Sequence, residues 1–223
     1  MQGFKEFIHN KGVFCKLTEA QLTQLSQSAI LRNYQKSEFI AHCEDIFPYI
    51  LIVESGVISV MKLSNDGRNL GSLRLQSGDV FASPSFFDGG PLPACLEVKE
   101  DCRVYLLHND QSMPILKQNS EAMHHLCLML VKRMRQASDF VEELAFQPVY
   151  RRLARLLLDQ FKGSPDPHIT RSFTLDEMST MIGTTPVMVC KLLSRFASEG
   201  FIKVSRTEFE LLDYSALEQM TER

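Results

Sequence analysis

The chain has 223 residues, 44% of them hydrophobic, with 24 Lys and Arg against 27 Asp and Glu, 11 Gly and 9 Pro. This is ordinary globular composition at a length suited to one large domain or two smaller ones, and it excludes a disordered chain, a collagen-like repeat and a disulfide-stapled miniprotein. The formal net charge of -3 would, taken alone, also argue against nucleic acid as a partner, because the usual electrostatic footprint is a basic domain.

The opening MQGFKEFIHNKGVF lacks an apolar core of signal-peptide length, and the longest apolar runs, Leu126 to Val131 and Pro48 to Val53, are too short to span a bilayer. A cytoplasmic protein with no membrane partner is expected. Six cysteines (Cys15, Cys43, Cys95, Cys102, Cys127, Cys190) are scattered without a C-x-x-C pair, so spacing spells neither a zinc ribbon nor an iron–sulfur cluster. The adjacent His124 and His125 point to different faces of any helix, which argues against both binding one metal.

Leu17 to Ser28 reads as a short helix with Thr18 at its cap and Gln21 three residues later. Residues 30 to 108 then hold short runs rich in Ile, Val, Leu and Phe: Glu38–Ala41, Ile50–Val53, Val57–Leu63, Gly71–Leu75, Val80–Ala82, Cys95–Val98 and Cys102–Leu107. Turn signals separate them, including Ser55-Gly56, Asn65-Asp66-Gly67, Ser77-Gly78-Asp79 and Asp88-Gly89-Gly90-Pro91. Such spacing predicts a β-sandwich or jelly roll, with its clearest hairpin at Asn65-Asp66-Gly67.

From Ser120 to Phe146 the period becomes helical. Met123, Cys127, Leu130, Met134, Ala137, Val141 and Leu144 alternate spacings of four and three, an a/d heptad seam. Such a seam can pack on its own domain, but its strict 3.5 period favours pairing with a second copy. Gln147-Pro148 ends the helix. Val149 to Phe161 is a second helix, followed by a loop at Gly163-Ser164-Pro165-Asp166-Pro167.

Residues 150 to 223 carry 10 basic and 10 acidic side chains, leaving 14 and 17 for residues 1 to 149. Within this neutral half, Met178 and Ile182 mark a helix that stops at Gly183, with small Ser179 opposite the turn. Thr185 caps a new helix and Pro186 occupies its first turn. Val189, Leu192, Leu193 and Phe196 form its apolar face, and Gly200 stops it. Two short helices joined by a tight glycine turn describe a helix-turn-helix. Phe201–Val204 and Phe209–Leu212, joined through Ser205-Arg206-Thr207-Glu208, predict a small hairpin, the wing of a winged helix. Between residues 184 and 206 Lys191, Arg195, Lys203 and Arg206 face only Glu199, and phosphate contact depends on that local field. Thr184, Thr185, Pro186, Val187, Lys191, Arg195, Lys203 and Arg206 are the candidate DNA-binding residues.

The order of β-roll, long helix and winged helix, with VESGVISV (Val53 to Val60), SGDVF (Ser77 to Phe81) and IGTTPVMVCKLLSRF (Ile182 to Phe196), resembles the Crp/Fnr superfamily of bacterial transcription regulators over nearly the whole chain. The resemblance implies an α+β protein. An effector-sensing, cyclic-nucleotide-binding-like β-roll (jelly roll) would span residues 1–118, a dimerisation helix 119–147 and a C-terminal winged helix-turn-helix 148–223. It implies a homodimer on double-stranded DNA at a palindromic operator, RNA polymerase as a further partner, and no catalysis. The dimer interface would be Met123, Cys127, Leu130, Met134, Ala137, Val141 and Leu144. A cyclic-nucleotide-type module regulating a protein partner is the alternative that the roll alone would allow.

Cyclic-AMP-binding members carry Gly-Glu-Leu and, after a loop, Arg-Ser or Arg-Thr and Ala, the Glu for the ribose and the Arg for the phosphate. This chain reads Ala82-Ser83-Pro84 and Pro93-Ala94-Cys95. Loss of the Arg removes a charge-assisted pair, a cost of several kcal/mol on binding, so cyclic AMP is not the expected ligand. Phe81, Ser83, Pro84, Pro93, Ala94, Cys95, Leu126 and Cys127 are the candidate effector-pocket residues, with Phe86 and Phe87 beside them. Haem or nitric oxide, a thiol redox signal at Cys15, Cys43 or Cys95, and a small organic ligand remain open as effectors; His42, Cys43, Cys95, His124, His125, Cys127 and the Met residues are candidate haem ligands. The recognition helix also departs from the family pattern Arg-Glu-x-x-x-Arg, having Pro186-Val187 and Lys191 instead. A half-site different from that of the catabolite activator follows.

Overall fold

The computed structural model describes residues 2–8, 12–64, 69–162 and 166–221. The chain forms two compact units, one of residues 1–63 with 73–136 and one of residues 64–72 with 137–223.

The first unit opens with α1 (Gln2–Ile8), a 3-10 turn (Gly12–Lys16) and α2 (Glu19–Ser28). Thr18 and Gln21 form a reciprocal capping box at the start of α2, as their spacing predicts. The strands are β1 (Ile30–Tyr34), β2 (Phe39–Ala41), β3 (Tyr49–Leu63), β4 (Asn69–Leu75), β5 (Val80–Ala82) and β6 (Cys95–His108), with α3 (Pro84–Asp88) between the last two. α4 (Asn109–Lys117) and the long α5 (Ser120–Phe146) follow.

Two of these strands correct the sequence reading. Ile50–Val53 and Val57–Leu63 belong to one strand of 15 residues, and Cys95–Val98 with Cys102–Leu107 to one of 14. β3 and β6 pair antiparallel from Tyr49 opposite His108 to Met61 opposite Cys95, with register shifts between Val53 and Ile58. Ser55-Gly56 is therefore a bulge, not a turn. Gly56 takes φ +88, and a Cβ there would lie 2.4 Å from the Asp101 carbonyl oxygen and 2.5 Å from Cys102 Cβ. Only glycine permits this close approach of two backbones. The Asn65-Asp66-Gly67 hairpin lies outside the described residues, although β3 and β4, which it joins, are neighbours in the sheet.

The bulge lets each long strand serve two sets of partners. Near one end β3 pairs with β5 through Ile50–Ile52 and β6 with β1 through Cys102–Leu106; near the other, β6 takes β2. Alternate residues of β3 consequently feed two cores. Ile50 and Ile52 pack with Phe86, Leu107 and the Ala122 and Leu126 side chains of α5. Leu51, Val53 and Ile58 pack inside the roll with Leu75, Leu92, Leu96 and Val104. Burial on both faces explains why Ile50 to Val53 is an unbroken apolar run rather than an alternating one.

The second unit holds the end of α5, then α6 (Val149–Phe161), β7 (His168–Thr170), α7 (Leu175–Ile182), α8 (Pro186–Ser198), β8 (Ile202–Val204), β9 (Glu208–Leu211) and α9 (Tyr214–Gln219). Pro148 is the N-cap of α6, consistent with the break expected at Gln147-Pro148. Of the predicted loop, residues 163–165 lie outside the described residues. The wing has three strands in the order β7-β9-β8, one more than the hairpin expected. Leu153, Leu157, Phe161, Met178, Val189, Phe196, Phe209 and Leu217 form its core.

Gly56→Ala should destabilise the first unit by about 2–4 kcal/mol, from the positive φ and the backbone clash together. An unchanged urea midpoint would show that β3 and β6 do not approach as closely as described.

Candidate nucleic-acid interface

Local chemistry fixes the two helices of the motif. Thr174 caps α7 in a capping box with Glu177, and Gly183 ends it in the left-handed region at φ +63, its amide donating to Ser179 O. Thr184 N donates to the same carbonyl at 2.9 Å. Two residues later the Thr185 hydroxyl accepts from Met188 N and Pro186 opens α8, so the chain reverses in three residues without orphaned amides. Ser179, 5% exposed, donates its hydroxyl to Asp176 O.

α8 is anchored by Val189, Leu193 and Phe196, each at most 4% exposed. Because these three face inward, helical periodicity sends Val187, Lys191, Ser194 and Ser198 to the opposite face, with Cys190, Met188 and Arg195 on its flanks. All seven are exposed. Thr185 is exposed too, whereas Thr184 and Pro186 are half-buried. The sequence reading missed Met188, Ser194 and Ser198; counting three and then seven residues on from Lys191 would have found the two serines.

The basic residues differ in readiness. Arg195 Nε donates to Glu199 Oε1 at 2.7 Å, and this carboxylate raises the Arg195 pKa further above its ordinary value. Lys203 Nζ lies 3.3 Å from Glu210 Oε2, its cross-strand neighbour in the wing. Lys191 and Arg206 are exposed and make no ion pair among the described residues. Arg206 stands at the hairpin tip, where Ser205 Oγ accepts from Thr207 N and Glu208 N. Extended to residue 210, the four cations face Glu199, Glu208 and Glu210, so the local surplus falls to one. Exposed pairs of this kind are worth about 0–1 kcal/mol, so Arg195 and Lys203 can exchange a carboxylate for a phosphate at small cost.

The candidate effector residues do not form one cluster. Phe81 packs with the inside of the roll, Leu126 with the helix-facing core, and Cys127 is exposed. Ser83 is fully buried; its hydroxyl donates to Phe47 O and, as N-cap of α3, accepts from Phe86 N. Pro84 and Pro93 are exposed and Ala94 is half-buried, while Cys95, 1% exposed, has its sulfur 2.8 Å from that of Cys43. Neither Ala82-Ser83-Pro84 nor Pro93-Ala94-Cys95 carries a carboxylate or a guanidinium. Among the described residues no three His, Cys, Asp or Glu side chains could hold a metal ion. His42 stacks on Phe39 at 4.6 Å.

Along α5, Met123 is half-buried against the core of the first unit, and Leu144 is half-buried. Cys127 and Ala137 are exposed, and Leu130, Met134 and Val141 are 37%, 66% and 64% exposed. Val131, at 40%, flanks this stripe, whereas Leu128, at 50%, falls on another face of the helix.

Glu199→Gln should free Arg195 and tighten DNA binding by about threefold to tenfold at low salt, with the gain fading as salt rises. Unchanged or weaker binding in a gel shift would place Arg195 away from the phosphates.

Two family models match the chain: the cyclic nucleotide-binding domain over residues 31–119 and the Crp-like helix-turn-helix domain over residues 151–220. The cyclic AMP receptor protein of Thermus thermophilus is 22% identical over 189 residues, covering 85% of this chain and 87% of that protein. The cAMP-activated global transcriptional regulator Vfr of Pseudomonas aeruginosa is 25% identical over 182 residues, 78% of this chain and 85% of that one. Among solved structures, the c-di-GMP-responsive global regulator CLP of Xanthomonas campestris superposes with a TM-score of 0.76 at 18% identity, covering 87% of this chain and 99% of its own. No helix among the described residues is long and apolar enough to cross a membrane. With a sensor-type sheet domain followed by a Crp-like helix-turn-helix, this chain belongs to the Crp/Fnr superfamily of DNA-binding transcription regulators.

Proposed function

We propose that the chain acts as a homodimer on a palindromic operator and is controlled by an effector other than cyclic AMP. The observation that carries the dimer is the water-exposed stripe of Leu130, Met134 and Val141 on α5, flanked by Val131. An apolar stripe of this width on a surface helix is the usual mark of a partner helix. Residues 1–118 would sense, 119–147 pair, and 148–223 bind DNA, with RNA polymerase as the downstream partner.

On this reading Thr184, Thr185 and Val187 contact phosphates or thymine methyls, Lys191 a guanine or a phosphate, and Arg195, Lys203 and Arg206 the backbone. The two α8 helices of a dimer address half-sites about 34 Å apart. A change of packing along α5, biased by the effector in the first unit, would alter how the two α8 helices meet that spacing.

Two relatives are named for cyclic AMP and one for c-di-GMP. In this chain the two segments expected to meet a cyclic nucleotide are Ala82-Ser83-Pro84 and Pro93-Ala94-Cys95, and the Ser83 hydroxyl is already engaged by Phe47 and Phe86. A cyclic phosphate would find no charged partner there, which favours an uncharged ligand or a chemical signal.

Met134→Glu, at a position exposed in the single chain, should leave the fold intact, halve the mass seen by light scattering and weaken DNA binding at least tenfold. A variant that stays dimeric would overturn the α5 interface. Lys191→Ala should lower the slope of log Kd against log salt by about 2 units, one phosphate contact per protomer of a dimer; a change near 1 would indicate a monomer on DNA. Millimolar cyclic AMP should leave operator affinity within about twofold, and a strong stimulation would contradict the effector assignment.

A further inference from the structure

We propose that Cys43 and Cys95 form a reversible thiol–disulfide switch that clips the turn after β2 to the effector segment before β6. This rests on the regulator reading above and names the signal its first unit receives.

The two residues are 52 positions apart in sequence, yet their sulfurs lie 2.8 Å from each other, and the Cys43 amide donates to Cys95 Sγ at 3.1 Å. Their neighbours hold this approach from both sides. Glu44 N donates to Leu92 O at 3.0 Å and Leu92 N to Asp45 O at 2.8 Å. The turn itself is fixed by His42 N on Asp45 Oδ2 at 2.7 Å, with Glu44 in the left-handed region at φ 71. Backbone register, not side-chain freedom, therefore brings the thiols together.

They are unequal partners. Cys43 is half-exposed and Cys95 buried, and burial together with the Cys43 hydrogen bond pushes the Cys95 thiol up to about 11. Exposure thus makes Cys43 the thiol that meets an oxidant first, with buried Cys95 as the resolving thiol. The oxidant is hydrogen peroxide. The Cys43 thiolate attacks one peroxide oxygen, the O–O bond breaks, and the other oxygen leaves as hydroxide to become water, giving a sulfenic acid. Cys95 then attacks the Cys43 sulfur; its proton goes to the departing hydroxide, which leaves as a second water, and the S–S bond closes. The two thiols lose two electrons and the peroxide gains them.

The link would tie Pro93-Ala94-Cys95, the segment where the family resemblance would place a phosphate partner, to the turn after the neighbouring strand β2. The signal would then be covalent, and the missing charges would need no nucleotide to replace them.

The test uses full-length reduced protein and a duplex that this reduced protein selects from a random pool. After hydrogen peroxide, alkylation and peptide mapping should show free thiols falling by two from six through a single Cys43–Cys95 link, reversed by dithiothreitol. Duplex affinity should change by about fivefold or more between the two forms. Cys43→Ser should abolish both effects and bind the duplex as reduced protein does. All six thiols still alkylating after peroxide, a link through other cysteines, or an equal response in Cys43→Ser would each overturn the switch. A link that forms while affinity stays constant would overturn its regulatory role and leave the regulator reading standing. Reduced protein that selects no duplex would sink that reading instead, and the peptide map still decides the thiol pair.

Discussion

Leu130, Met134 and Val141 stand on α5 with 37%, 66% and 64% of their surfaces in water, on a helix whose earlier turns are already committed to the core of the first unit through Ala122 and Leu126. Full burial of such a side chain is worth about 1.5–3 kcal/mol, so a single chain leaves several kcal/mol of apolar burial unrealised along this one face. In the proposed dimer that energy is gained by both copies at once, and it fixes the separation of whatever follows α5. Every functional statement about the DNA-binding half leans on this constraint, because one winged helix alone has little with which to hold DNA.

The scarcity is electrostatic. Of four cations on α8 and the wing, Arg195 and Lys203 already face Glu199 and Glu210, leaving Lys191 and Arg206 outright. Non-specific attraction scales with the number of phosphates neutralised, so a half-site bound by so few charges is weak at physiological salt, and two half-sites bound by one rigid dimer are not. The acidity of the whole chain is then no obstacle. In the proposed complex it would suppress binding away from the operator, while the local field of α8 would set where contact occurs. The anchoring side is apolar and ordinary: Val189, Leu193 and Phe196 hold the helix, which leaves its outer face free to carry specificity.

The first unit inverts the same logic. Where the family resemblance would put charges, this chain spends the polar atoms of the segment on itself: the Ser83 hydroxyl caps α3 and bonds Phe47, and Cys95 faces Cys43. The roll survives because its scaffold is set by β3, β6 and the Gly56 bulge, and none of these depends on a ligand.

What could be read from sequence was the chemistry that acts over a few residues. The capping box at Thr18 and Gln21, the Gly183 turn, the Thr185 cap with Pro186, and the full extent of α5 all follow from local spacing. Ser55-Gly56 was read as a turn because a bulge and a turn use the same residues; only the facing backbone at Asp101 and Cys102 tells them apart. β1 (ILRNY) and β7 (HIT) are too polar or too short to stand out. The Cys43–Cys95 contact depends on strand register across 52 residues, which no local pattern encodes, whereas Lys203 opposite Glu210 was available from hairpin geometry once the wing was placed. The central claim, two α8 helices of one dimer reading two half-sites, is tested most directly by hydroxyl-radical footprinting on DNA selected by the full chain. The account predicts an inverted repeat with two protected segments about one helical turn apart; a single protected segment would contradict it.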